Sequence, residues 1–168
     1  ELGLEFEINA LSVDEDYPAD LPADQIARYL SEKKADAYLP TLSDKELIIT
    51  ADTVVICDDA VLGKPKDYAD AMHMLMSLSG RCHQVVTGVT LLSAQKRVSF
   101  SVSTEVYFAE ISEDEARYYV DHYSPFDKAG AYGIQEWIGY VAVHKIEGSF
   151  YNVMGLPLHQ LYKELKAF

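Results

Sequence analysis

An aspartate interrupts a strand-like apolar run in Leu47-Ile-Ile-Thr-Ala-Asp52-Thr-Val-Val-Ile-Cys57. With a period of two, Asp52 shares a face with Ile48, Thr50, Val54 and Ile56. A carboxylate buried there without compensation costs several kcal/mol, so its surroundings must supply a cation, hydrogen bonds or water. Two chemistries satisfy that demand. One is a structural pair with a lysine or a backbone amide; the other is a metal ligand or general base where the strand meets a cleft.

Gly63-Lys64-Pro65 follows that run. Glycine lets backbone approach a ligand, proline stiffens the turn, and the lysine presents one positive charge from a fixed place. It is not a Walker phosphate loop, because the first glycine is missing and no Ser or Thr follows the lysine. Glu15 lies in the acidic run Asp14-Glu15-Asp16, by default a solvated loop, yet it is able to give a hard oxygen to Mg²⁺ beside Asp52. Gln135, two residues after Gly133, carries an amide suited to paired donor and acceptor bonds with a base edge. Asp127 and Lys128 are expected to pair across their loop. The five histidines lack zinc-ligand spacing.

These residues need a frame. Leu4, Phe6 and Ile8 alternate as in a strand after a helix end at Gly3. Pro22 opens a helix to about Tyr38 with Ile26, Leu30 and Ala37 on its apolar stripe. Lys33 and Lys34 flank that stripe, and periodicity does not say which turns inward. Asp67 caps a second helix bearing Met72, Leu75 and Met76 and stopped by Gly80. Residues 83–92 and 97–109 read as long strands joined by a polar turn around Ala94–Lys96. Ser112-Glu-Asp-Glu115 is a capping box ahead of a short helix ended by Pro125. The glycine-rich 127–135 leads into a predicted strand over 137–146, and Pro157 opens a last helix with Leu158, Leu161 and Leu165 on one face. The order β-α-β-α-β-β-α-β-α predicts an α/β (mixed α+β) fold, a mixed sheet flanked by helices.

The 168 residues suit one domain with a substantial core, spanning 1–168. A net charge of −13 argues against nucleic acid or an anionic membrane as the main partner, since both call for basic surface. A small anion held by local lysines remains compatible with it. Cys57 and Cys82 sit in no motif and read as unpaired thiols of a reducing compartment. No apolar run approaches the roughly 20 residues of a membrane span.

Taken together, ITADTVV, LGKP, LSGRCHQVVTGV, DKAGAYGIQ and GSFYNVMGLPL occur in an order and spacing that resembles the Maf family of nucleoside triphosphate pyrophosphatases. The resemblance runs from Leu2 to the final helix. Ala51-Asp52-Thr53 and Ala131-Tyr132-Gly133-Ile134-Gln135 resemble the dTTP/UTP branch; the 7-methyl-GTP branch typically has Ser-Asp-Gln at the first motif. The resemblance implies a long curved sheet like that of the inosine triphosphate pyrophosphatases. It implies hydrolysis of a nucleoside triphosphate between the α and β phosphates with Mg²⁺ or Mn²⁺, by a cytoplasmic homodimer. It makes Asp52 the proton acceptor or a metal ligand, Glu15 a metal ligand, and Lys34 (rather than Lys33) and Lys64 phosphate contacts. Thr53 and Gln135 become the residues that choose the base. Two other readings stand beside it: a non-catalytic nucleotide-binding module linked to cell division, and a base preference outside this branch.

The Maf pattern also has an N-terminal strand and a Ser-x-Ser-Pro-Arg-Arg loop that this sequence lacks, so either a longer natural protein, the favoured expectation, or a genuine truncation follows. The 168 residues alone should turn over dTTP poorly, and a chain restored at its N-terminus should be active. Equal rates for the two forms would contradict this, and intact mass of the purified protein shows which form is in hand.

Overall fold

The computed structural model describes residues 2–168. In chain order the elements are α1 (Ala23–Asp36), β1 (Ile48–Cys57), β2 (Ala60–Leu62), α2 (Tyr68–Leu78), β3 (Cys82–Leu92), β4 (Arg97–Phe108), α3 (Glu113–Tyr123), a 3₁₀ turn (Ala129–Ala131), α4 (Trp137–Val141), β5 (Val143–Glu147), α5 (Phe150–Val153) and α6 (Leu158–Ala167). The strands form one sheet in the order β2-β1-β3-β4-β5. The expected α/β class is what forms, and every strand pairing is antiparallel.

Residue parity divides the sheet. On one face Val54 and Ile56 of β1 and Val86 of β3 pack under Ile26, Ala27 and Leu30 of α1. The other face carries two separate apolar clusters. Val55, Val85, Val106 and Phe108 meet α2, α3 and α4 at one end, while Val89 and Leu91 meet Leu161 of α6 at the other. Between them the strands present Thr53 and Thr87.

Local signals set most boundaries. Asp67 accepts from the Asp70 amide, 2.8 Å away, at the start of α2. Ser112 and Glu115 complete the reciprocal capping box of α3. β1 and β2 form a tight hairpin through Asp58 and Asp59, both at positive φ, the type I′ geometry that Asp tolerates. β2 and α5 escape a reading by periodicity because each holds only three or four residues.

Two expectations are corrected. The predicted N-terminal strand is absent: Leu4, Phe6 and Ile8 are exposed, and residues 2–22 hold no strand or helix. Alternation produces a strand only where a neighbour takes its backbone bonds and covers one face, and none lies there among the described residues. The predicted strand over 137–146 is a helix in its first half. Ile138 and Ala142, four apart, are the fully buried positions, and the Ala142 amide donates to the Ile138 carbonyl at 2.9 Å. Over so few residues periods of 2 and 3.6 are hard to separate.

Gly88 of β3 sets how closely α1 approaches the sheet. It pairs in register with Asp52, and a Cβ there would fall 2.3 Å from the Arg28 nitrogen and 2.4 Å from the Ala27 carbonyl. Both obstacles are backbone, so neither yields by a rotamer change. Gly88→Ala should therefore cost about 1–3 kcal/mol of stability, read by urea denaturation, because α1 must lift. An unchanged midpoint would show that α1 is not seated on this glycine.

Candidate active site

α1 and β1 together bring the first charges into contact. Lys34, on the last turn of α1, reaches the Asp52 carboxylate directly and lies 3.1 Å from a Glu15 oxygen. Lys64, from the turn after β2, is 2.9 Å from both Glu15 oxygens. Lys33 turns the other way and pairs with Asp16. The four residues that the resemblance assigned to catalysis and metal binding thus form one continuous chain: Asp52, Lys34, Glu15, Lys64.

Asp52 can be reached because β2 covers β1 only at Val55–Cys57. Along 48–54 that edge of β1 carries no strand among the described residues, and the cavity wraps around it. Its volume is about 440 Å³, and its lining includes Lys34, Asp52, Thr53, Lys64, Tyr132 and Gln135. Thr53, next to Asp52 but on the opposite face of the sheet, looks into the gap between the two apolar clusters. Gln135 is exposed at the rim.

Electrostatics separates the two carboxylates. Burial raises the Asp52 pKa; Lys34 pulls it down, but the sum stays above the ordinary carboxylate value. Burial also raises Glu15, but Lys64 and Lys34 outweigh it and hold the group below its usual range. At Lys34 burial works against the charge, yet Asp52 and Glu15 overcome it and its pKa is raised. Asp52 is thus the better proton acceptor of the pair, and Glu15 the more firmly ionised.

Around the glycine-rich loop stand Glu136 and Tyr119, which the sequence did not single out. Lys128 pairs with Asp127 at 2.8 Å as expected, but it also lies 3.3 Å from Glu136, and both line the cavity. The buried Tyr119 hydroxyl donates to Glu136 and accepts from the Gly133 amide at 2.9 Å. The Gly130 amide donates to the Gly63 carbonyl at 3.0 Å, which ties this loop to the Lys64 turn. Behind Tyr132 lies His83, with Nε2 2.8 Å from the phenol oxygen; burial holds His83 neutral with a pKa of about 4.

A divalent ion fits this donor set. Glu15 and Asp52 already meet on one cation, the Lys34 ammonium, from two different segments. No group of three or more His, Cys, Asp or Glu placed to hold a metal occurs among the described residues. Mg²⁺ typically takes one or two carboxylates and completes its shell with water and substrate phosphate, which is the kind of site two acids make.

The model of the family described as Maf-like protein matches residues 1–168. This chain belongs to the Maf family. It is 51% identical to a dTTP/UTP pyrophosphatase of Parabacteroides distasonis over 99% of this chain and 87% of the relative. It is 54% identical to a protein of that name in Bacteroides thetaiotaomicron, over 98% of this chain and 86% of the relative. A third, from Porphyromonas gingivalis, is 54% identical over 99% and 85%. No helix among the described residues is long and apolar enough to cross a membrane.

The raised Asp52 pKa gives a pH prediction for this Maf chain. Under the assignment of Asp52 as proton acceptor that the resemblance implies, the carboxyl must be ionised, so catalytic rate should fall as pH drops through its pKa. Lys34→Ala removes the cation that holds this pKa down and should move the acid limb to higher pH. Carboxyl NMR of the metal-free protein should show Asp52 titrating above Glu15 and rising further in the variant. Identical titrations for the two carboxylates would remove the assignment.

Proposed function

We propose that this Maf chain hydrolyses pyrimidine nucleoside triphosphates, dTTP and UTP and modified pyrimidine relatives, to a nucleoside monophosphate and pyrophosphate. The observation that carries this reading is the Asp52–Lys34–Glu15–Lys64 chain at one side of a cavity that has Thr53 and Gln135 in its wall. One end has the charges for a polyphosphate; the other has neutral donors and acceptors for a base.

In this reading Lys34 and Lys64 hold phosphate oxygens and fix the α-phosphorus near Asp52. Asp52 accepts a proton from the attacking water. The new bond forms from that water oxygen to the α-phosphorus, and the bond from α-phosphorus to the bridging oxygen breaks as pyrophosphate leaves. Phosphoryl transfer demands mainly positioning and charge neutralisation, so no covalent nucleophile is needed. Glu15 and Asp52 would hold Mg²⁺ or Mn²⁺, which supplies positive charge to the polyphosphate and acidifies water. Thr53 and Gln135 read the base. The domain spans 1–168 and acts in the cytoplasm as a homodimer, an expectation that light scattering tests.

Asp52→Asn keeps the size of the side chain and removes the acceptor. Pyrophosphate release should drop about 10²–10⁴-fold, while nucleotide binding by calorimetry persists. A wild-type protein that binds dTTP without releasing pyrophosphate would replace this reading with a non-catalytic nucleotide-binding module. A panel of triphosphates that places a purine above dTTP and UTP would replace the base assignment alone.

A further inference from the structure

The hydrogen bonds behind Thr53 decide what its hydroxyl shows to the cavity. Thr53 Oγ1 and Thr87 Oγ1 lie 2.9 Å apart, and that contact by itself allows either one to donate. Thr87 is fully buried, and its Oγ1 also lies 3.0 Å from the backbone carbonyl of Asn152. A carbonyl only accepts, so the single proton of Thr87 is committed to Asn152. Thr87 must then be the acceptor toward Thr53, and Thr53 the donor. The Thr53 proton is spent inside the fold, and its lone pairs face the cavity.

The anchor of this relay is well fixed. Asn152 is fully buried, and its Nδ2 donates to the Val85 carbonyl and to Thr104 Oγ1, each at 3.0 Å. Thr104 Oγ1 in turn accepts from the Ser149 amide at 3.1 Å, so β3, β4 and the start of α5 all hold the Asn152 segment in place. The cavity side of Thr53 is left uncovered. Gly155, at φ +104°, lines the cavity, and a Cβ there would stand 3.6 Å from Thr53 Oγ1.

We propose that Thr87 is a specificity-positioning residue, which fixes Thr53 Oγ1 as a hydrogen-bond acceptor and so favours pyrimidines bearing a ring N3–H. Uracil and thymine carry that N–H. Cytosine presents an unprotonated N3, an acceptor facing an acceptor, and leaves both unpaired as water is expelled. The inference rests on the reading above that Thr53 faces the base. It gives the discrimination to a buried residue that never touches the nucleotide.

The test compares kcat/KM for UTP and CTP, by pyrophosphate release, in the wild type, Thr87→Ser, Thr87→Val and Thr53→Val. Thr87→Ser keeps the accepting hydroxyl and should hold the wild-type ratio within about twofold. Thr87→Val removes it, frees the Thr53 proton to turn into the cavity, and should lower the UTP/CTP ratio about tenfold. A role in packing alone would lower both rates together. An unchanged ratio in Thr87→Val beside an altered one in Thr53→Val overturns the relay and leaves the proposed function standing. An unchanged ratio in Thr53→Val takes Thr53 away from the base, and the relay fails with it. Calorimetry of the wild type with UMP and CMP checks the premise without turnover: UMP should bind tighter, and equal affinities overturn the proposal.

Discussion

The Lys34 ammonium is the constraint on which the site depends. Asp52 sits on a strand beneath a helix, with its side chain only 10% exposed, and could not stay ionised there alone. Lys34 comes from the covering helix itself, so seating α1 on the sheet and neutralising Asp52 are one event. The close approach at Gly88 makes this possible, because the glycine lies opposite Asp52 on the neighbouring strand. Glu15 then joins from a segment without regular structure, and two carboxylates converge on one cation. Packing of α1 and chemistry at Asp52 cannot be varied separately.

The same logic explains where the cavity lies. A sheet face covered continuously by helices would leave no room for a ligand. Here the apolar face breaks into two clusters, one beneath α2, α3 and α4 and one beneath α6. At the break the strands carry threonines instead of valine or leucine. Thr53 and Thr87 satisfy each other and Asn152, so the gap is polar without leaving those hydroxyls unpaired. Desolvation is thereby confined to one place, where a ligand can replace water.

Much of this was legible in the sequence because its signals are local. Asp52 in an apolar strand, the Gly63-Lys64-Pro65 turn and the capping box of α3 each announce themselves within a few residues. Lys34 was legible only through resemblance, since helical spacing placed Lys33 and Lys34 on opposite flanks of one stripe. Glu136 and Tyr119 were not legible at all: a glutamate in a loop and a tyrosine on a helix, 17 positions apart, acquire roles only when the chain between them folds back. Thr87 was hidden for a different reason. In a β-branched run such as Val85-Val86-Thr87, threonine reads as ordinary strand material, and only the bond to Asn152 distinguishes it. The segment around Leu4 misled because alternation describes a surface seeking a neighbour, not a strand already paired.

Every lysine at the cavity is already engaged: Lys34 with Asp52 and Glu15, Lys64 with Glu15, Lys128 with Asp127 and Glu136. Acids outnumber bases in this cluster as they do in the whole chain, whose net charge is −13. A bare polyphosphate would therefore meet repulsion from the carboxylates before it gained the lysines. In the proposed reading the balance reverses when phosphate arrives with a divalent cation, because Glu15 and Asp52 then have another positive partner and the ammonium groups are released to phosphate oxygens. The acidic composition, which argues against nucleic acid as the main partner, is thus compatible with an anionic substrate on one condition. In the proposed reading the substrate would come with its own cation, and the two carboxylates are the groups that would hold it.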